Sequence, residues 1–532
     1  MQRRTAIALL SFLFLFGLAL VLATSAPAQT LAAIGTSRAA AAVTYPDPDG
    51  CRAPDPKRED AFLENRVVAP RKEAWQDAHG GQAAARLHVK ARLSGWPSRL
   101  LVDRSTLDGD DAEFLRRLAR DTWRGLAEMV DREHGLPIDH VRFCGGSLDA
   151  AHVKIGDYTS GTDVGLFLLS VVGAVDLELL PRGDALALLR RSFDSLRRLE
   201  SHAGFFFNYY DTTSLERTSH FVSFVDSTWL TAGLIVVRQA FPELWSDATQ
   251  IIERQDYGFF YDADADLMVH GFDLDGGAAV PARFHYGTLY TEARLGALIA
   301  IAKGDAPESL WWEMQRTRPA AHFWQRQQPQ GRREKIVRGH RVHGGSYAWQ
   351  GLRYVPSWGG SMFEALMPML ALDERSWAPR SLGRNGEVHA EVQRRHATQT
   401  LGYPVWGMSP SAQPHAVDYG EFGVPILGTA GYRPGVVTPH ASALALAVAP
   451  AAATQNLRRI AERYDAYGEY GLYDAIDPET SAVAHAYLSL DQGMSFVALV
   501  NHLKDGAIQR RFAADPAVAP VLPMLREEDF FE

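Results

Sequence analysis

A polar residue followed at once by an apolar run of helix length recurs six times in this chain. The six polar residues are Asp163, Asp226, Glu292, Glu364, His440 and Asp491. The runs after them are apolar nearly all round, as buried helices are, and amphipathic segments such as 184–199 and 452–464 lie between them. This alternation predicts an all-α dominated fold, an (α/α)6 toroid of six inner and six outer helices. Strand-like pairs, 204–210 with 219–224 and 257–261 with 267–272, predict short β-hairpins at its mouth.

The first 28 residues have the pattern of a secretory signal peptide. Arg3 and Arg4 precede an apolar run over 6–23, and Ala26-Pro27-Ala28 is an A-x-A cleavage site. We expect cleavage near Ala28 and a periplasmic or secreted protein, with an uncleaved membrane anchor as the alternative. Residues 29–105 are predicted to form a partly irregular N-terminal lead-in. Residues 106–532 are predicted to form a single (α/α)6 catalytic domain.

Composition and charge narrow the range of partners. The 532 residues carry a formal net charge of -9 and no basic block, which argues against a nucleic-acid partner. Beyond the export signal we expect no membrane partner, and we predict a monomer. The two cysteines, Cys51 and Cys144, exclude a disulfide scaffold. In an oxidising compartment they are candidates for one disulfide, with two buried thiols as the alternative.

The polar residues at the helix starts are candidates for acid–base chemistry. Inner helices of such a ring run parallel, so their N-terminal ends meet at one mouth. Helix capping explains any single one of these residues equally well, because acids suit the positive end of the helix dipole. Capping explains a convergence of several carboxylates less well. Asp226, Glu292 and Glu364 would supply the two carboxyl groups that hydrolysis of a glycosidic bond requires.

The chain is rich in aromatic residues, with 12 Trp, 18 Tyr and 25 Phe, which suits binding of sugars, although core packing explains most of them. Trp358 and Trp406 lie beside glycines in loops, where a ligand rim is favoured over the core. Asp474 is either a sugar ligand or a turn former. Common nucleophile, zinc and nucleotide motifs are missing, and the histidines lack metal-ligand spacing, so we expect no metal and no cofactor.

Several motifs, in consistent order, resemble those of a known family. They include Thr159–Gly165, Gly204–Asp211, Ser357–Glu364, Val405–Ser409, Tyr470–Ala475 and Asp491–Met494. The chain resembles the bacterial glycoamylase-like glycoside hydrolases that include endo-β-1,2-glucanases, and the related (α/α)6 domain of cyclic β-1,2-glucan synthases. The resemblance implies an (α/α)6 fold that acts on β-linked glucans. It also implies acid–base roles for Asp226, Glu292 and Glu364, and sugar contacts for Asp211, Trp358, Trp406 and Asp474.

The chain departs from the family pattern at several of these motifs. Asp163 stands where the family has Asn, and Pro410 stands where the synthases have Glu. Asp474 replaces a Glu, and Asp491 replaces a His. These differences argue against the cyclising activity of a synthase. Asp163, Tyr210 and Asp491 complete the predicted substrate-binding set.

The sequence therefore favours an exported glycoside hydrolase that cleaves β-linked glucan, with β-1,2-glucan as the first candidate. One alternative is a non-catalytic glycan-binding protein on the same scaffold. A lyase or epimerase is less favoured, because a lyase that acts on uronic acids needs a cationic mouth, and fold alone does not decide function.

Overall fold

Helices form most of the regular structure in the computed structural model, which describes residues 69–319 and 321–532. In chain order they are α1 (Pro70–His79), α2 (Gln82–Arg92), α3 (Asp111–Glu128), α4 (Gly161–Asp176), α5 (Arg182–Arg198), α6 (Phe224–Ala240), α7 (Trp245–Arg254), α8 (Ala293–Lys303), α9 (Ser309–Glu313), α10 (Met362–Leu366), α11 (Glu374–Trp377), α12 (Leu382–Arg395), α13 (Pro439–Ala445), α14 (Pro450–Arg463), α15 (Ser489–Leu503) and α16 (Ala507–Ala513). The mainly helical fold that the sequence predicts is confirmed.

The apolar runs predicted from the sequence begin in helices that are buried nearly all round, namely α4, α6, α8, α10, α13 and α15. These helices contact one another in turn: α4 packs on α6, α6 on α8, α10 on α13, α13 on α15, and α15 on α4. Arg294 of α8 donates hydrogen bonds to the carbonyl oxygens of Glu364 and Ala365 in α10. The buried helices are therefore joined in a closed series.

A second helix packs against each buried one. The pairs are α3 with α15, α5 with α4, α7 with α6, α9 with α8, α12 with α10, and α14 with α13. Helix α3 is typical, because it buries Phe114, Leu118 and Leu126 on one side and leaves its arginines and acids towards water. A capping box of Asp110 and Glu113 begins this helix.

The backbones of α4 and α6 approach closely at two glycines. A Cβ atom added to Gly165 would lie 2.2 Å from the carbonyl oxygen of Trp229. A Cβ atom on Gly233 would lie 2.6 Å from the carbonyl oxygen of Gly165. A larger residue at either position would therefore force these two buried helices apart.

Two buried helices end before their apolar runs do. Helix α10 ends at Leu366 and continues as a 3₁₀ turn over Met367–Leu370, because Pro368 has no N–H to donate to the helical ladder. Helix α13 ends at Ala445, within the run 444–448. Pro450, the first residue of α14, disfavours helical geometry in the residue before it.

Short strands lie between the helices and pair antiparallel. They are β1 (His140–Arg142), β2 (Lys154–Gly156), β3 (Tyr158–Ser160), β4 (Ser201–His202), β5 (Phe205–Phe206), β6 (Tyr209–Asp211), β7 (Phe221–Ser223), β8 (Tyr261–Asp262), β9 (Leu267–Met268), β10 (Gly271–Asp273), β11 (Val280–Pro281), β12 (Gln330–Val337), β13 (His340–Trp349), β14 (Leu352–Tyr354), β15 (Ser411–Ala412), β16 (Tyr419–Gly420), β17 (Tyr467–Gly468), β18 (Gly471–Leu472), β19 (Ala475–Ile476), β20 (Val483–Ala484) and β21 (Ala486–Leu488). Three of the sheets have three strands each, in the orders β2–β1–β21, β11–β10–β7 and β12–β13–β14. The other strands form two-stranded pairs.

The strand pairs match the sequence prediction in part. Strands β8 and β9 form the expected hairpin, with Tyr261 opposite Met268. The segments 204–210 and 219–224 do lie beside each other, since the N–H of Asn208 donates to the carbonyl oxygen of Phe221. Their strands also take other partners, because β6 pairs with β3 and β7 pairs with β10. The long hairpin of β12 and β13 was not predicted. Its connection is Arg338-Gly339, with φ of 50° and 85°, which suits a two-residue turn.

Helices α1 and α2 lie in the segment predicted to be a lead-in. Lys72 of α1 forms ion pairs with Asp157 and Asp211. The predicted signal peptide and Cys51 lie outside the described residues, so export, the disulfide with Cys144 and the predicted domain boundaries stay predictions. Among the described residues, no helix has both the length and the apolar character needed to cross a membrane.

Candidate active site

The six polar residues predicted from the sequence all lie at the N-terminal end of a buried helix. Asp163, Asp226, Glu364 and Asp491 are the third residues of α4, α6, α10 and α15, His440 is the second residue of α13, and Glu292 directly precedes α8. We call these six helix starts the mouth. Their side chains form a series of neighbours: Asp226 is close enough to both Asp163 and Glu292 for the charges to interact, as is Glu292 to Glu364.

Helix capping accounts for the position of two of these carboxylates. Asp163 forms a capping box with Ser160, and Glu364 forms one with Ser361. Glu364 also accepts hydrogen bonds from the hydroxyl of Ser357 at 3.0 Å and from the N–H of Gly359 at 2.9 Å. Burial raises the pKa of Glu364, and these hydrogen bonds oppose the rise. Its carboxylate is therefore firmly oriented within the scaffold.

Asp226 has fewer hydrogen bonds and is partly exposed. Its Oδ1 accepts a hydrogen bond from the Thr162 hydroxyl at 2.6 Å. Its backbone N–H donates to the Ser223 hydroxyl at 3.3 Å, which caps α6. Burial raises the pKa of Asp226, and the hydrogen bonds to Ser223 and Thr162 act against this effect. Asp226 is thus a partly exposed carboxyl group at the mouth, held by fewer donors than Glu364.

Glu292 has the environment of a proton donor. Its Oε2 is buried and has no hydrogen-bond partner within the described residues, although the side chain as a whole is partly exposed. Burial raises the pKa of Glu292 to about 7, and the negative charge of Glu364 adds to the rise. A carboxyl group with this pKa holds a proton near neutral pH. The same side chain is a conjugate base once it has given that proton away.

Two tyrosines that sequence analysis missed flank this carboxyl group. Burial raises the pKa of both Tyr286 and Tyr432, and the charge of Glu292 contributes to each shift. The Tyr432 ring lies against Gly359, since a Cβ atom on that glycine would lie 2.1 Å from the ring. Tyr432 follows Gly431 in a loop. The pattern that pointed to Trp358, an aromatic residue beside a glycine in a loop, was therefore present at Tyr432 as well.

An exposed aromatic surface adjoins Glu364. Trp358 is 38% exposed, and the next residue, Gly359, donates its N–H to Glu364. The ring of Trp324, 47% exposed, lies 5.6 Å from that of Trp358, and the Arg318 guanidinium lies 5.6 Å above the Trp358 ring. Exposed rings of this kind can stack on sugar faces. Trp324 was not singled out from the sequence, where it follows Phe323 in a polar loop.

His440, Asp474 and Asp491 lie together on another side of the mouth and are buried. Each offers one metal-ligand atom, and these atoms lie within 4.8 Å of one another. The sequence separates the three residues too widely to suggest this grouping. Asp474 also accepts a hydrogen bond from the N–H of Ala412 at 2.7 Å, so its carboxylate is part of the loop structure.

Three of the residues that we predicted to contact sugar are buried among other protein groups. Tyr210 is 2% exposed, and its hydroxyl donates to the carbonyl oxygen of Glu200. Asp211 accepts hydrogen bonds from turn N–H groups of Thr213 and Ser214 and pairs with Lys72. Trp406 is 3% exposed. Contact with sugar stays a prediction for these residues, and their surroundings give it no support.

Residues 340–516 match the family model Glycoamylase, described as "Putative glucoamylase". The chain is 31% identical over 318 residues to the cyclic β-(1,2)-glucan synthase NdvB of Rhizobium meliloti. That match covers 57% of this chain and spans 10% of the length of the relative.

Solved structures with a similar fold include a β-1,2-glucanase from Parabacteroides distasonis, with a TM-score of 0.64, 14% identity, and coverage of 79% of this chain and 61% of that one. An endo-β-1,2-glucanase from Chitinophaga pinensis has a TM-score of 0.60, 15% identity, and coverage of 79% and 99%. At these identities the likeness is one of fold. The predicted resemblance to the glycoamylase-like family is thereby confirmed, with homology to a cyclic β-1,2-glucan synthase and structural similarity to endo-β-1,2-glucanases.

Proposed function

We propose that this chain is an exported glycoside hydrolase that cleaves β-linked glucan, with β-1,2-glucan as the first substrate to test. The observation that carries the proposal is Glu292. Its raised pKa, its buried oxygen without a partner and its position beside Asp226 suit a proton donor paired with a second carboxylate. The names of the relatives support glucan as the substrate class.

In this mechanism Glu292 protonates the glycosidic oxygen as the bond breaks. Asp226 either attacks the anomeric carbon or removes a proton from an attacking water. Glu364 acts as a positioning residue, because four donors hold its carboxylate and its charge raises the pKa of Glu292. Trp358 and Trp324 would stack on sugar rings next to these groups.

We further propose that the fold is an (α/α)6 toroid. The closed series of contacts among α4, α6, α8, α10, α13 and α15 supports an inner ring. The partner helix on each of them supports an outer ring. Export is part of the proposal because residues 1–28 have the pattern of a signal peptide. A monomer remains our expectation.

The decisive experiment follows linear β-1,2-glucan with the purified protein by time-resolved proton NMR. A new anomeric signal is expected, and its initial α or β form identifies an inverting or a retaining mechanism. Glu292→Gln and Asp226→Asn are expected to lower the rate at least a hundredfold without loss of folding.

The matched control is Glu387→Gln. Glu387 lines a cavity with Asn501 and Asp505, at the opposite end of α15 from the mouth, and this variant should keep full activity. If the wild-type protein bound glucan oligosaccharides but released no new anomeric signal on any β-glucan, the glycan-binding alternative would replace hydrolysis. Full activity in both mouth variants would refute the assignment of Glu292 and Asp226.

A further inference from the structure

A buried group at the mouth brings one imidazole and two carboxylates together. His440 begins α13, Asp491 begins α15, and Asp474 lies between β18 and β19. These side chains are only 1–2% exposed. Nδ1 of His440 lies 3.4 Å from Oδ2 of Asp491.

Several polar atoms of this group lack hydrogen bonds. His440 Nδ1, Asp474 Oδ1 and both carboxylate oxygens of Asp491 are buried without a partner in the described part of the chain. Buried polar atoms are nearly always hydrogen-bonded, and buried carboxylates are paired, protonated or bound to metal ions. Unpartnered atoms of three side chains therefore lie within 4.8 Å of one another, where a single ligand would satisfy them.

We propose that His440, Asp474 and Asp491 bind one divalent metal ion. The ligands would be an imidazole nitrogen and carboxylate oxygens, and two carboxylates balance the charge of the ion. Metal–ligand bonds of about 2.0–2.2 Å place opposite ligands a little over 4 Å apart, which small side-chain movements would reach from the 4.8 Å span seen here. The imidazole favours Zn²⁺ over Ca²⁺, and the two carboxylates also suit Mn²⁺.

The position of the site indicates what the ion does. It would join α13 to α15, two neighbouring buried helices, and tie the loop that carries Asp474 to both. This site does not include Asp226, Glu292 or Glu364, so metal binding does not depend on the proposed hydrolase activity. A stabilising ion that fixes one side of the mouth is the expected role.

The rival explanation is a proton shared between Asp474 and Asp491. The substitution Asp491→Asn separates the two explanations, because an asparagine amide can replace a protonated carboxyl group as a hydrogen-bond donor but does not bind a divalent ion well. Under the metal proposal, this variant loses binding. Under the shared-proton explanation, the Asp491→Asn variant keeps the stability of the wild-type protein, and the wild-type protein binds no divalent ion.

The test uses purified protein that has been treated with EDTA and desalted. Calorimetric titration with ZnCl₂, MnCl₂ and CaCl₂ should show one equivalent of Zn²⁺ or Mn²⁺ bound, with a higher unfolding temperature in its presence. Asp491→Asn should bind at least a hundredfold more weakly. The control is Asp262→Asn, since Asp262 and His285 form a partly exposed pair at 2.8 Å without a third ligand, and this variant should bind as the wild type does.

A second measurement covers the case in which Asp491→Asn does not fold. Co²⁺ added to the stripped wild-type protein should give a visible absorption band that one equivalent of Zn²⁺ removes. Absence of both this band and stoichiometric binding would overturn the proposal. Equal binding by wild-type protein and Asp491→Asn would overturn it as well.

Discussion

At the scale of single residues, Glu292 and Glu364 show how similar positions give different chemistry. Both lie at the start of a buried helix, yet four donor groups hydrogen-bond to the Glu364 carboxylate, whereas Glu292 Oε2 accepts no hydrogen bond from the described residues. Hydrogen bonds to a carboxylate favour its charged form, whereas burial without them favours the protonated form. The local sequence identifies both as helix-start acids and does not separate their roles.

The pH dependence of hydrolysis should report on Glu292. A proton donor must be protonated, and the pKa of Glu292 is raised to about 7, so kcat/KM should fall as the pH rises through about 7. Glu292→Gln should lower the rate at least a hundredfold and remove this alkaline fall from the residual activity. A pH profile measured between pH 4 and 9 checks this. An unchanged alkaline limb in the variant would assign the proton to another group.

At the scale of elements, the close contact of α4 with α6 depends on Gly165. Gly165→Ala would place a Cβ atom 2.2 Å from the Trp229 carbonyl oxygen, and the helices would have to separate. We expect the free energy of unfolding to fall by about 1–3 kcal/mol. Gly183→Ala in α5 is the control, because its Cβ atom meets nothing within 4 Å, and it should raise stability by up to about 1 kcal/mol. Urea unfolding of both variants tests this, and equal effects would contradict it.

A buried ion pair joins three elements near the mouth. Arg294 of α8 donates to both oxygens of Glu374, at the start of α11, and to two carbonyl oxygens of α10. Glu374→Ala would leave a buried guanidinium without its counter-ion, so we expect a loss of about 3–5 kcal/mol in unfolding free energy.

The control for this pair is Glu387→Ala. Glu387 pairs with Arg384 on the surface of α12, and its loss should cost at most about 1 kcal/mol. Denaturant unfolding measures both variants. A loss below 1 kcal/mol for Glu374→Ala would show that water or a rearranged partner compensates Arg294.

At the scale of the whole molecule, buried titratable groups set how stability varies with pH. Burial raises the pKa of Asp163, Asp226 and Glu292, so these groups favour the folded state at low pH and stop doing so as the pH rises. Burial lowers the pKa of His270 and His389 to about 4. Their contribution to the free energy of unfolding therefore falls as the pH drops below 6.5. The two effects oppose each other between about pH 4.5 and 6.5.

Well above pH 6.5 the histidines are neutral in both states, and the carboxyl effect on the free energy of unfolding then dominates. We therefore expect the free energy of unfolding to change little from pH 5 to 6.5 and to fall from pH 6.5 to 8.5. Glu292→Gln should show a smaller fall. Urea unfolding at pH 5.5, 6.5 and 8.5 provides the measurement, and a rise in stability towards pH 8.5 would contradict the expectation.

Local pattern was enough to predict the buried helices and the polar residue at the start of each one. Apolar periodicity and capping depend on residues within a few positions of one another, so they can be read along the chain. Helix ends were less predictable where Pro368 and Pro450 intervene. The segments 204–210 and 219–224 contact each other as predicted, but their strands also pair with β3 and β10, which lie outside this stretch of the chain.

The chemistry of the mouth depends on contacts between residues far apart in the chain. Glu292 gains its pKa from burial and from Glu364, and His440 meets Asp474 and Asp491 only because α13 packs on α15. Tyr432 and Trp324 reach the same region from separate loops. Burial, hydrogen-bond satisfaction and charge proximity are properties of the packed molecule, so the amino-acid pattern supplies candidate side chains and the tertiary structure decides which of them act together.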